Sequence, residues 1–473
     1  MEQRGPELPD TGQDERETYR VIVLGRGGAE VLLAPDCGRY ILPSVSIPRW
    51  QRVAENLTEA FKLEWGHEVV CLFTLNRGAD VENSQIQYQV AEQWRSLEGP
   101  RSTAQWVEES KLTQEFFVDW RDYKAVRHSI AICPGEISDV QNGPFAQPGW
   151  FRGLYQWVEE VTKPMGFPLN GGFQQLNACP SFCLIRFHSA GPAFWFKAVG
   201  PPNQREFPIT QTLSALFPEY IPPILAERSD WNGWLTREAA GVNLGESHEC
   251  ARWGTAAAAL ARLQLASIGH TQRILAAGAH DLRLASLANT VQLFMETMAL
   301  LMDRQTKVPP PVLSRAELAL LGEQICEAID KVTDLEIPDS LGHLDLNPGN
   351  IVVSGEHCTF LDWAEACVSL PFLSFQYLIE HRRCEVGTDS AIEAKLLESY
   401  RAPWNPVVSM GAVAAALEVA PLLAVFAYAV GSKVWLDTER LQDLATAGFL
   451  RSLTRRMKRE AKQLQARRSL CVR

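Results

Sequence analysis

The sequence predicts an α+β protein in which strand-rich segments precede a long helical region. Up to about residue 246, short apolar runs alternate with turn residues, which is typical of strands. Beyond that point, apolar residues recur at helical spacing over 248–267, 281–303 and 314–333. Two short strands reappear around 350–362. We therefore expect a small α+β unit, a strand-rich unit and a helical unit that carries one loop-and-strand insertion.

Changes in composition predict where these parts begin and end. Residues 1–17 are polar and acidic and are expected to form a disordered tail. A first domain is predicted over 18–132. The segment 133–150 is rich in Pro, Gly and Asn, which indicates a linker. A strand-rich lobe is then expected over 151–241 and a helical lobe over 242–473.

Periodicity predicts the elements of the first two parts. Two β-branched runs around Arg26-Gly27-Gly28 predict a β-hairpin. Helical spacing then predicts a helix over 52–65, and strand-like runs follow at 67–75 and 85–92. The strand-rich lobe is expected to contain helices at 151–163 and 205–217 and strands at 172–178, 181–188, 193–199 and 233–238.

Composition and charge narrow the possible functions. Of the 473 residues, 46% are hydrophobic and 21% are charged, so the chain can bury a large core. The net charge of −11 argues against a nucleic-acid-binding protein, and no nucleic-acid partner is predicted. Residues 451–473 nevertheless contain nine Lys or Arg and one acid, and we expect a solvated C-terminal helix there.

Cysteine usage and hydropathy indicate a cytoplasmic protein. The eleven cysteines are scattered, no pair has C-x-x-C spacing, and Cys179 and Cys183 lack a second pair that would complete a zinc site. The polar N-terminus does not resemble a signal peptide. The apolar stretch 407–430 is interrupted by Glu418 and Pro421, which favours a buried helix over a membrane span, so no membrane partner is predicted.

The segment HLDLNPGNIVVSGEHCTFLDW, residues 343–363, carries the main functional pattern. Asp345 and Asn350 have the D-x-x-x-x-N spacing of a kinase catalytic loop. Phosphoryl transfer needs a carboxylate that accepts the proton of the attacking hydroxyl, the role predicted for Asp345. It also needs oxygen ligands for Mg²⁺, the role predicted for Asn350 and Asp362, which a hairpin between them would bring together. A chance spacing of loop residues is the alternative.

These motifs resemble a known family. HLDLNPGN followed by FLDW is similar to the HGDLHPGN…IDW pattern of the aminoglycoside phosphotransferase and choline kinase-like family. The resemblance implies a protein-kinase-like two-lobed fold, a strand-rich N-lobe followed by a helical C-lobe, with ATP and Mg²⁺ as cofactors. It also implies that His343 is structural. The sequence departs from the pattern at Leu344 and Asn347, and this departure puts the identity of the acceptor in doubt.

Candidates for nucleotide binding lie upstream of this loop. Lys197 ends an apolar strand and Glu206 opens the next predicted helix, an order that predicts an ion pair holding the lysine at the phosphates. The turn at 176–181 matches the position of a phosphate-covering loop, with Ser181 as a possible donor, and a plain β-turn is the alternative. By resemblance only, adenine is expected to contact the backbone at Arg237, Glu238 and Ala239.

The first domain resembles a Nudix hydrolase, a small α/β module. The similarity covers 20–73, and the Nudix helix carries glutamates that bind the metals activating water. Aligned on Gly66, only Glu64 keeps a metal-binding carboxylate, whereas Ala60 and Leu63 cannot bind a cation. The resemblance therefore implies a Nudix-like domain that does not hydrolyse nucleotides. An unrelated α+β domain is the alternative.

Together these patterns predict an ATP- and Mg²⁺-dependent phosphotransferase that acts on a hydroxyl group of a small molecule, whether aminoglycoside-like, choline-like or another metabolite. The alternative is a catalytically silent kinase-like nucleotide sensor or scaffold coupled to a degenerate Nudix-like module. A pseudokinase has no need to retain all of Lys197, Glu206, Asp345, Asn350 and Asp362. An active Nudix hydrolase is a third possibility, but it would need metal ligands that this sequence lacks.

The acceptor is only loosely constrained by the sequence. Glu365 and the acidic body of the protein favour a cationic acceptor. Four aromatic residues are candidates for lining its pocket, although such residues more often belong to a core: Trp363, Trp404, Trp435 and Tyr377.

Overall fold

The chain divides into two units whose boundaries differ from the predicted ones. The first unit takes Met1–Gln204 and Ile224–Glu238, and the second takes Arg205–Pro223 and Ala239–Arg473. The computed structural model describes residues 15–49, 51–75, 86–96, 103–132 and 143–471. Most of the predicted tail, 1–14, and most of the predicted linker, 133–142, lie outside the described residues.

The first unit contains two sheets and three helices. The elements before the predicted linker are β1 Arg16–Gly25, β2 Glu30–Asp36, β3 Arg39–Ile41, β4 Ser44–Pro48, α1 Val53–Trp65, β5 His67–Thr74, β6 Gln87–Ser96, β7 Gln105–Glu108 and α2 Trp120–Ile132. Those after it are α3 Trp150–Thr162, β8 Leu169–Cys179, β9 Phe182–Ser189, β10 Phe194–Val199, β11 Ile224–Arg228 and β12 Gly233–Arg237. The predicted helices and strands of this region are confirmed within a few residues, but β3, β4, β7, β11 and α2 were not predicted.

A seven-stranded mixed sheet forms the N-terminal part of the first unit. Its strand order is β3-β2-β1-β6-β5, with β4 paired to β1 and β7 to β2. Strands β1 and β6 run parallel and the other pairs are antiparallel. The predicted hairpin is confirmed, because Gly25 pairs with Glu30 across a turn in which Gly27 and Gly28 have φ of 70° and 100°. Such positive values are readily adopted by glycine.

A five-stranded antiparallel sheet, in the order β11-β12-β10-β9-β8, forms the other part of the first unit. The predicted linker does not separate it from the first sheet. Phe145, inside the predicted linker, is buried and its amide donates to the carbonyl of Pro180 at 3.1 Å. Ile22 and Phe187, from the two sheets, belong to the same apolar core as Phe145. Burial of shared apolar surface therefore joins the two predicted domains in one unit.

One buried glutamine connects the two sheets directly. The amide group of Gln175, on β8, accepts from the backbone N–H of Cys71 at 2.8 Å and donates to the Cys71 carbonyl at 2.9 Å. Gln175 is only 1% exposed, so this side chain takes the place of a neighbouring strand for one residue of β5.

We expect Gln175→Leu to lower the free energy of unfolding by about 2–5 kcal/mol, because two buried backbone groups of Cys71 would lose their partners. Urea titration followed by tryptophan fluorescence measures this change. The matched control is Gln174→Leu on the exposed face of the same strand, which should shift stability by less than about 0.5 kcal/mol. Equal effects of the two substitutions would contradict a connecting role for Gln175.

The second unit is mainly helical. Its helices are α4 Glu206–Leu216, α5 Cys250–Ser267, α6 Thr271–Ala276, α7 Leu284–Asp303, α8 Arg315–Thr333, α9 Phe372–Val386, α10 Ser390–Arg401, α11 Met410–Gly431 and α12 Leu444–Cys471. Its short strands are β13 Val242–Asn243, β14 His280–Leu282, β15 Ser340–His343, β16 Ile351–Ser354, β17 His357–Phe360 and β18 Ala366–Ser369. The strands form two small sheets, in the orders β13-β16-β17 and β14-β18-β15. The three long helices predicted after residue 246 are confirmed as α5, α7 and α8.

Helix α4 belongs to the second unit, although the sequence placed it in the strand-rich lobe of 151–241. The reason is its apolar face, since Ile209 and Leu213 are fully buried in the same core as the helices after residue 246. Among the described residues, α7 and α11 are long and apolar enough to cross a membrane. In the most apolar window of α11, 67% of residues are buried within the fold, as expected for a core helix.

The basic helix α12 is less solvated than predicted. Its Arg456 pairs with Glu380 and its Lys458 with Glu317, both on other helices of the second unit. Two further arginines of the helix donate to backbone carbonyls, including Arg451 to Leu301 at 3.1 Å. Part of the C-terminal positive charge therefore serves internal ion pairs and hydrogen bonds.

Candidate active site

The catalytic loop predicted from the sequence connects β15 to β16. Asp345 is exposed between two buried leucines, Leu344 and Leu346, which anchor the loop on both sides. The backbone carbonyl of Asp345 accepts from the Asn347 N–H at 2.8 Å and from the Asn350 side-chain amide at 3.1 Å. These bonds fix the direction in which the Asp345 carboxylate leaves the loop.

Asn347, where the resembled family often has histidine, contacts the candidate base. Its side-chain amide donates to Oδ1 of Asp345 at 3.2 Å. A hydrogen bond of this kind orients the carboxylate and leaves its second oxygen, Oδ2, able to accept a proton. The departure at position 347 is therefore compatible with a base at Asp345.

The predicted hairpin after the loop is confirmed. Ile351 pairs with Phe360, and the Leu361 N–H donates to the Asn350 carbonyl at 2.8 Å. Asp362 therefore follows directly after the residue bonded to Asn350. Asp362 has a left-handed backbone conformation, with φ 60° and ψ 67°, which is uncommon outside glycine and better tolerated by Asp and Asn.

The donor atoms of this hairpin suit a hard cation. The nitrogen of the Asn350 side chain is used in its bond to Asp345, so the atom that can bind a metal is Oδ1. Asp362 offers carboxylate oxygens. Carboxylate and amide oxygens are the protein ligands that Mg²⁺ takes, usually together with water and phosphate oxygens. The residues present therefore fit the predicted ion.

His343 is buried and bonded at both ring nitrogens, as expected for a structural residue. Nδ1 accepts from the Asp345 N–H at 3.2 Å, and Nε2 lies 3.1 Å from the Leu361 carbonyl. An acceptor at Nδ1 and a donor at Nε2 define a neutral ring. The ring also packs against Trp363, with centroids 4.8 Å apart. His343 thereby connects the catalytic loop to the segment that carries Asp362.

Burial lowers the pKa of His343 below its usual value of 6.5, so we expect a neutral ring at pH 7. Between the lowered pKa and 6.5, the unfolded chain binds a proton that the folded chain does not. Stability is therefore highest above pH 6.5 and falls as the pH decreases through that window. Imidazole chemical shifts in ¹³C/¹⁵N NMR measure this state, with exposed His357 as an internal control. A His343 ring that titrates at or above 6.5 would contradict the assignment.

Asn243 belongs to the same arrangement but was not singled out from the sequence. Its side-chain nitrogen donates to the Gly349 carbonyl at 2.7 Å, and its Oδ1 accepts from the Gly245 N–H at 3.0 Å. It lies on β13, which pairs with β16. Asn243 thus ties the catalytic loop to the start of the helical region. A single Asn in a turn-like segment offered no signal of this contact.

The predicted nucleotide-binding residues fall in both units. Lys197 lies on β10, paired with Leu184 and Trp234, and its Nζ is 5.9 Å from the centre of the Phe182 ring. Ser181 lies in the turn between β8 and β9, as expected. Glu206 is buried at the first residue of α4, in the second unit. The Lys197–Glu206 ion pair stays a prediction.

The segment predicted to contact adenine spans the boundary between the units, which falls between Glu238 and Ala239. The Glu238 N–H donates to the Ala193 carbonyl at 2.9 Å, so this amide is used within the first unit. Its carboxylate binds Arg186 at 2.6 Å, which holds the pKa of Glu238 below its usual value. The Arg237 guanidinium lies over the Phe167 ring at 5.1 Å. The side chains of Arg237 and Glu238 thus have structural contacts.

A pocket of about 550 Å³ lies beside Asp345 within the second unit. Its walls come from the catalytic loop, the end of α11 and one side of α12. The lining residues are Leu344, Asp345, Glu365, Tyr428, Ala429, Ser432, Val434, Ala445, Thr446, Phe449, Leu450 and Leu453. The volume lies in the range of small-molecule sites.

Most residues of this pocket were not predicted from the sequence. The four aromatic residues suggested for the lining, Trp363, Trp404, Trp435 and Tyr377, are instead buried in the helical core. Outside the loop motif, Glu365 was the lining residue that the sequence indicated, as an acidic group near the loop. One signal was present, because Ala445, Phe449 and Leu453 recur every four residues on one face of an otherwise basic helix.

An arginine and a buried histidine lie close to Glu365. Its Oε2 lies 3.6 Å from Nη2 of Arg205 and 3.5 Å from Nε2 of His280, which is almost fully buried. Its backbone carbonyl accepts from the Leu344 N–H at 3.1 Å. Tyr428, on the opposite wall, has a pKa raised by burial and by the negative charges of Asp345 and Glu365. The pocket therefore has a negative end.

Comparison with known proteins agrees with this geometry. Residues 229–402 match the phosphotransferase enzyme family, a span that includes the catalytic loop and Asp362. No curated protein matches the chain in sequence.

Several solved structures resemble the fold at low identity. The macrolide 2'-phosphotransferase MphH from Brachybacterium faecium is 15% identical over 63% of this chain and 97% of its own, with a TM-score of 0.41. A choline/ethanolamine kinase family protein from Mesorhizobium loti is 12% identical over 66% of this chain and 99% of its own, with a TM-score of 0.44. Choline kinase from Cryptosporidium parvum is 10% identical over 68% of this chain and 96% of its own, with a TM-score of 0.46. Likenesses at these scores assign no activity.

Proposed function

We propose that the protein transfers the γ-phosphoryl group of ATP, with Mg²⁺, to a hydroxyl group of a small molecule. The observation that carries this proposal is the position of Asp345. Its carboxylate is exposed, is oriented by Asn347, and lines a pocket of small-molecule size. The match of residues 229–402 to the phosphotransferase enzyme family supports the same reaction.

Asp345 would orient the acceptor hydroxyl and accept its proton as the oxygen attacks phosphorus. His343 and Asn350 keep the loop in place through their bonds to the Asp345 backbone. Asn350 and Asp362 would hold Mg²⁺, which when bound neutralises charge on the phosphates. Each group therefore has a distinct task.

Nucleotide binding is assigned to residues upstream of the catalytic loop. We propose that Lys197 binds the phosphates and that Glu206 holds this lysine, with the turn containing Ser181 near the phosphates. Backbone groups at Arg237, Glu238 and Ala239 are proposed for adenine, although the Glu238 N–H already donates to Ala193. A cytoplasmic location suits an enzyme that uses ATP.

The Nudix-like part, 18–132, is proposed to support the first unit rather than to hydrolyse nucleotides. Helix α1 ends at Gly66 in a left-handed conformation with φ 74°, and Glu64 is exposed just before it. The double hydrogen bond of Gln175 to Cys71 and the shared core support this proposal, because they join this part to the five-stranded sheet.

The test is phosphoryl transfer from γ-labelled ATP to a panel of hydroxyl compounds, with products identified by mass spectrometry. Asp345→Asn protein serves as the blank, and parallel reactions contain EDTA. We expect a phosphorylated product that appears only with wild-type protein and Mg²⁺. If Mg-ATP binds but no member of a broad panel is phosphorylated, the scaffold alternative would replace this proposal.

A further inference from the structure

The pocket beside Asp345 is lined mainly by apolar side chains. Helix α12 contributes Ala445, Phe449, Leu450 and Leu453 to one wall. The catalytic loop adds Leu344, which stands where the resembled family usually has glycine. The Leu344 side chain reaches Gly431 so closely that a Cβ there would lie 2.6 Å from its Cδ1. Leu344 is only 3% exposed, so it fills the space between the catalytic loop and α11 next to the candidate base.

Two aromatic rings of this pocket face water. Phe449 is 52% exposed and Tyr428 is 38% exposed. Their ring centres are 6.3 Å apart with planes at 75° to each other. Exposed aromatic side chains in a concave surface near a catalytic group mark a ligand-binding wall, because an apolar ligand would remove them from water.

The charges of the pocket restrict what can enter it. Its charged lining residues are the carboxylates Asp345 and Glu365, with no basic residue among the lining positions that the structure describes. Glu365 already has cationic or polar neighbours in Arg205 and His280. An anionic acceptor would be repelled at this end. A polycation would find one uncompensated carboxylate, Asp345, which the reacting hydroxyl also needs.

We propose that the acceptor is an alcohol with a mainly apolar body that is neutral or carries a single positive charge. This inference rests on the proposed phosphoryl transfer at Asp345. The acceptor oxygen forms a bond to the γ-phosphorus as the bond to the β,γ-bridging oxygen breaks. ADP leaves, and the hydroxyl proton passes to Asp345. The apolar body packs on Phe449, Tyr428 and the leucines of α12.

Binding of matched alcohols to the full-length protein tests this class separately from catalysis. Saturation-transfer NMR would compare phenylbutanol, its amino derivative, its carboxylate derivative (hydroxyphenylbutanoate) and kanamycin. We expect the first two to bind and the carboxylate to bind at least about tenfold more weakly, in line with one unfavourable charge contact. Kanamycin should also bind at least about tenfold more weakly, because it has no apolar body to remove the aromatic wall from water. Tighter binding of kanamycin or of the carboxylate would overturn the proposal, as would failure of both alcohols to bind.

A variant locates the binding in this pocket. Phe449→Ala should weaken both alcohols by about tenfold or more, the effect of losing one buried aromatic contact. The control is Leu320→Ala on α8, since Leu320 is also 52% exposed but lies outside the pocket. Alcohol affinities that Phe449→Ala leaves within twofold of wild type would contradict the assignment.

The outcome can be separated from that of the proposed function. Alcohols that bind through Phe449 but are never phosphorylated would retain the pocket assignment and reject phosphoryl transfer. Transfer to a polycationic or anionic acceptor would retain the reaction and reject the acceptor class.

Discussion

Asp345→Asn is expected to reduce phosphoryl transfer by about a hundredfold to ten-thousandfold, the usual contribution of a positioned general base. The amide keeps the size and shape of the carboxylate but does not accept a proton. Asp345 is exposed and its loop is held through its backbone carbonyl, so the fold should survive the change. The measurement is the initial rate of product formation at saturating Mg-ATP.

Two comparisons make this result specific. Mg-ATP affinity, measured by calorimetry, should stay within about threefold of wild type, because the assigned role concerns the acceptor hydroxyl. The matched control is Asp334→Asn, an exposed aspartate at the end of α8 that is not among the residues lining the pocket. A variant at Asp345 that keeps more than about a tenth of the wild-type rate would remove this residue from the role of base.

Local sequence patterns predicted the backbone structure of the catalytic segment well. The spacing of Asp345 and Asn350 and the two short apolar runs after them lie within twenty residues. Backbone pairing over such a short distance is determined by the residues themselves, so the pairing of Ile351 with Phe360 followed from the sequence. The neutral, doubly bonded His343 agrees with its expected structural role.

Features that depend on distant contacts were not predictable in the same way. The hydrogen bonds between Gln175 and Cys71 join residues 104 positions apart, and no periodicity in the sequence predicts them. Helix α4 was assigned to the wrong part because its neighbours along the chain are strands, whereas its apolar face packs in the helical core. Domain assignment follows buried surface rather than sequence order.

The pocket beside Asp345 was not predictable for a similar reason. Trp404 and Trp435 were candidates for its lining, but such aromatic residues were expected more often in a core, and both fill the core. Phe449 was not predicted as a lining residue, because it lies on a helix in which basic residues predominate. In the structure, basic residues of this helix such as Arg456 form ion pairs with acidic residues on other helices. The apolar face that contains Phe449 lines the pocket.

The carboxylate of Asp362 is expected to be as important as that of Asp345 if it binds Mg²⁺. Asp362→Asn should lower the transfer rate by about a thousandfold, since the charge stabilisation provided by a metal ion amounts to several kcal/mol. Asn is the suitable replacement because position 362 has φ 60°, which Asn tolerates. Alanine would add about 1–2 kcal/mol of backbone strain. A lower rate could then result from unfolding as well as from loss of the metal.

Metal binding distinguishes this effect from that of the base. Asp362→Asn should weaken Mg-ATP binding and raise the Mg²⁺ concentration needed for half-maximal rate, whereas Asp345→Asn should leave both nearly unchanged. Calorimetry with Mg-ATP and with ATP in EDTA measures the difference, and thermal unfolding checks that both variants are folded. Equal dependence on Mg²⁺ in wild type and Asp362→Asn would show that this carboxylate is no ligand. The hairpin pairing at Asn350 would then serve only to shape the loop.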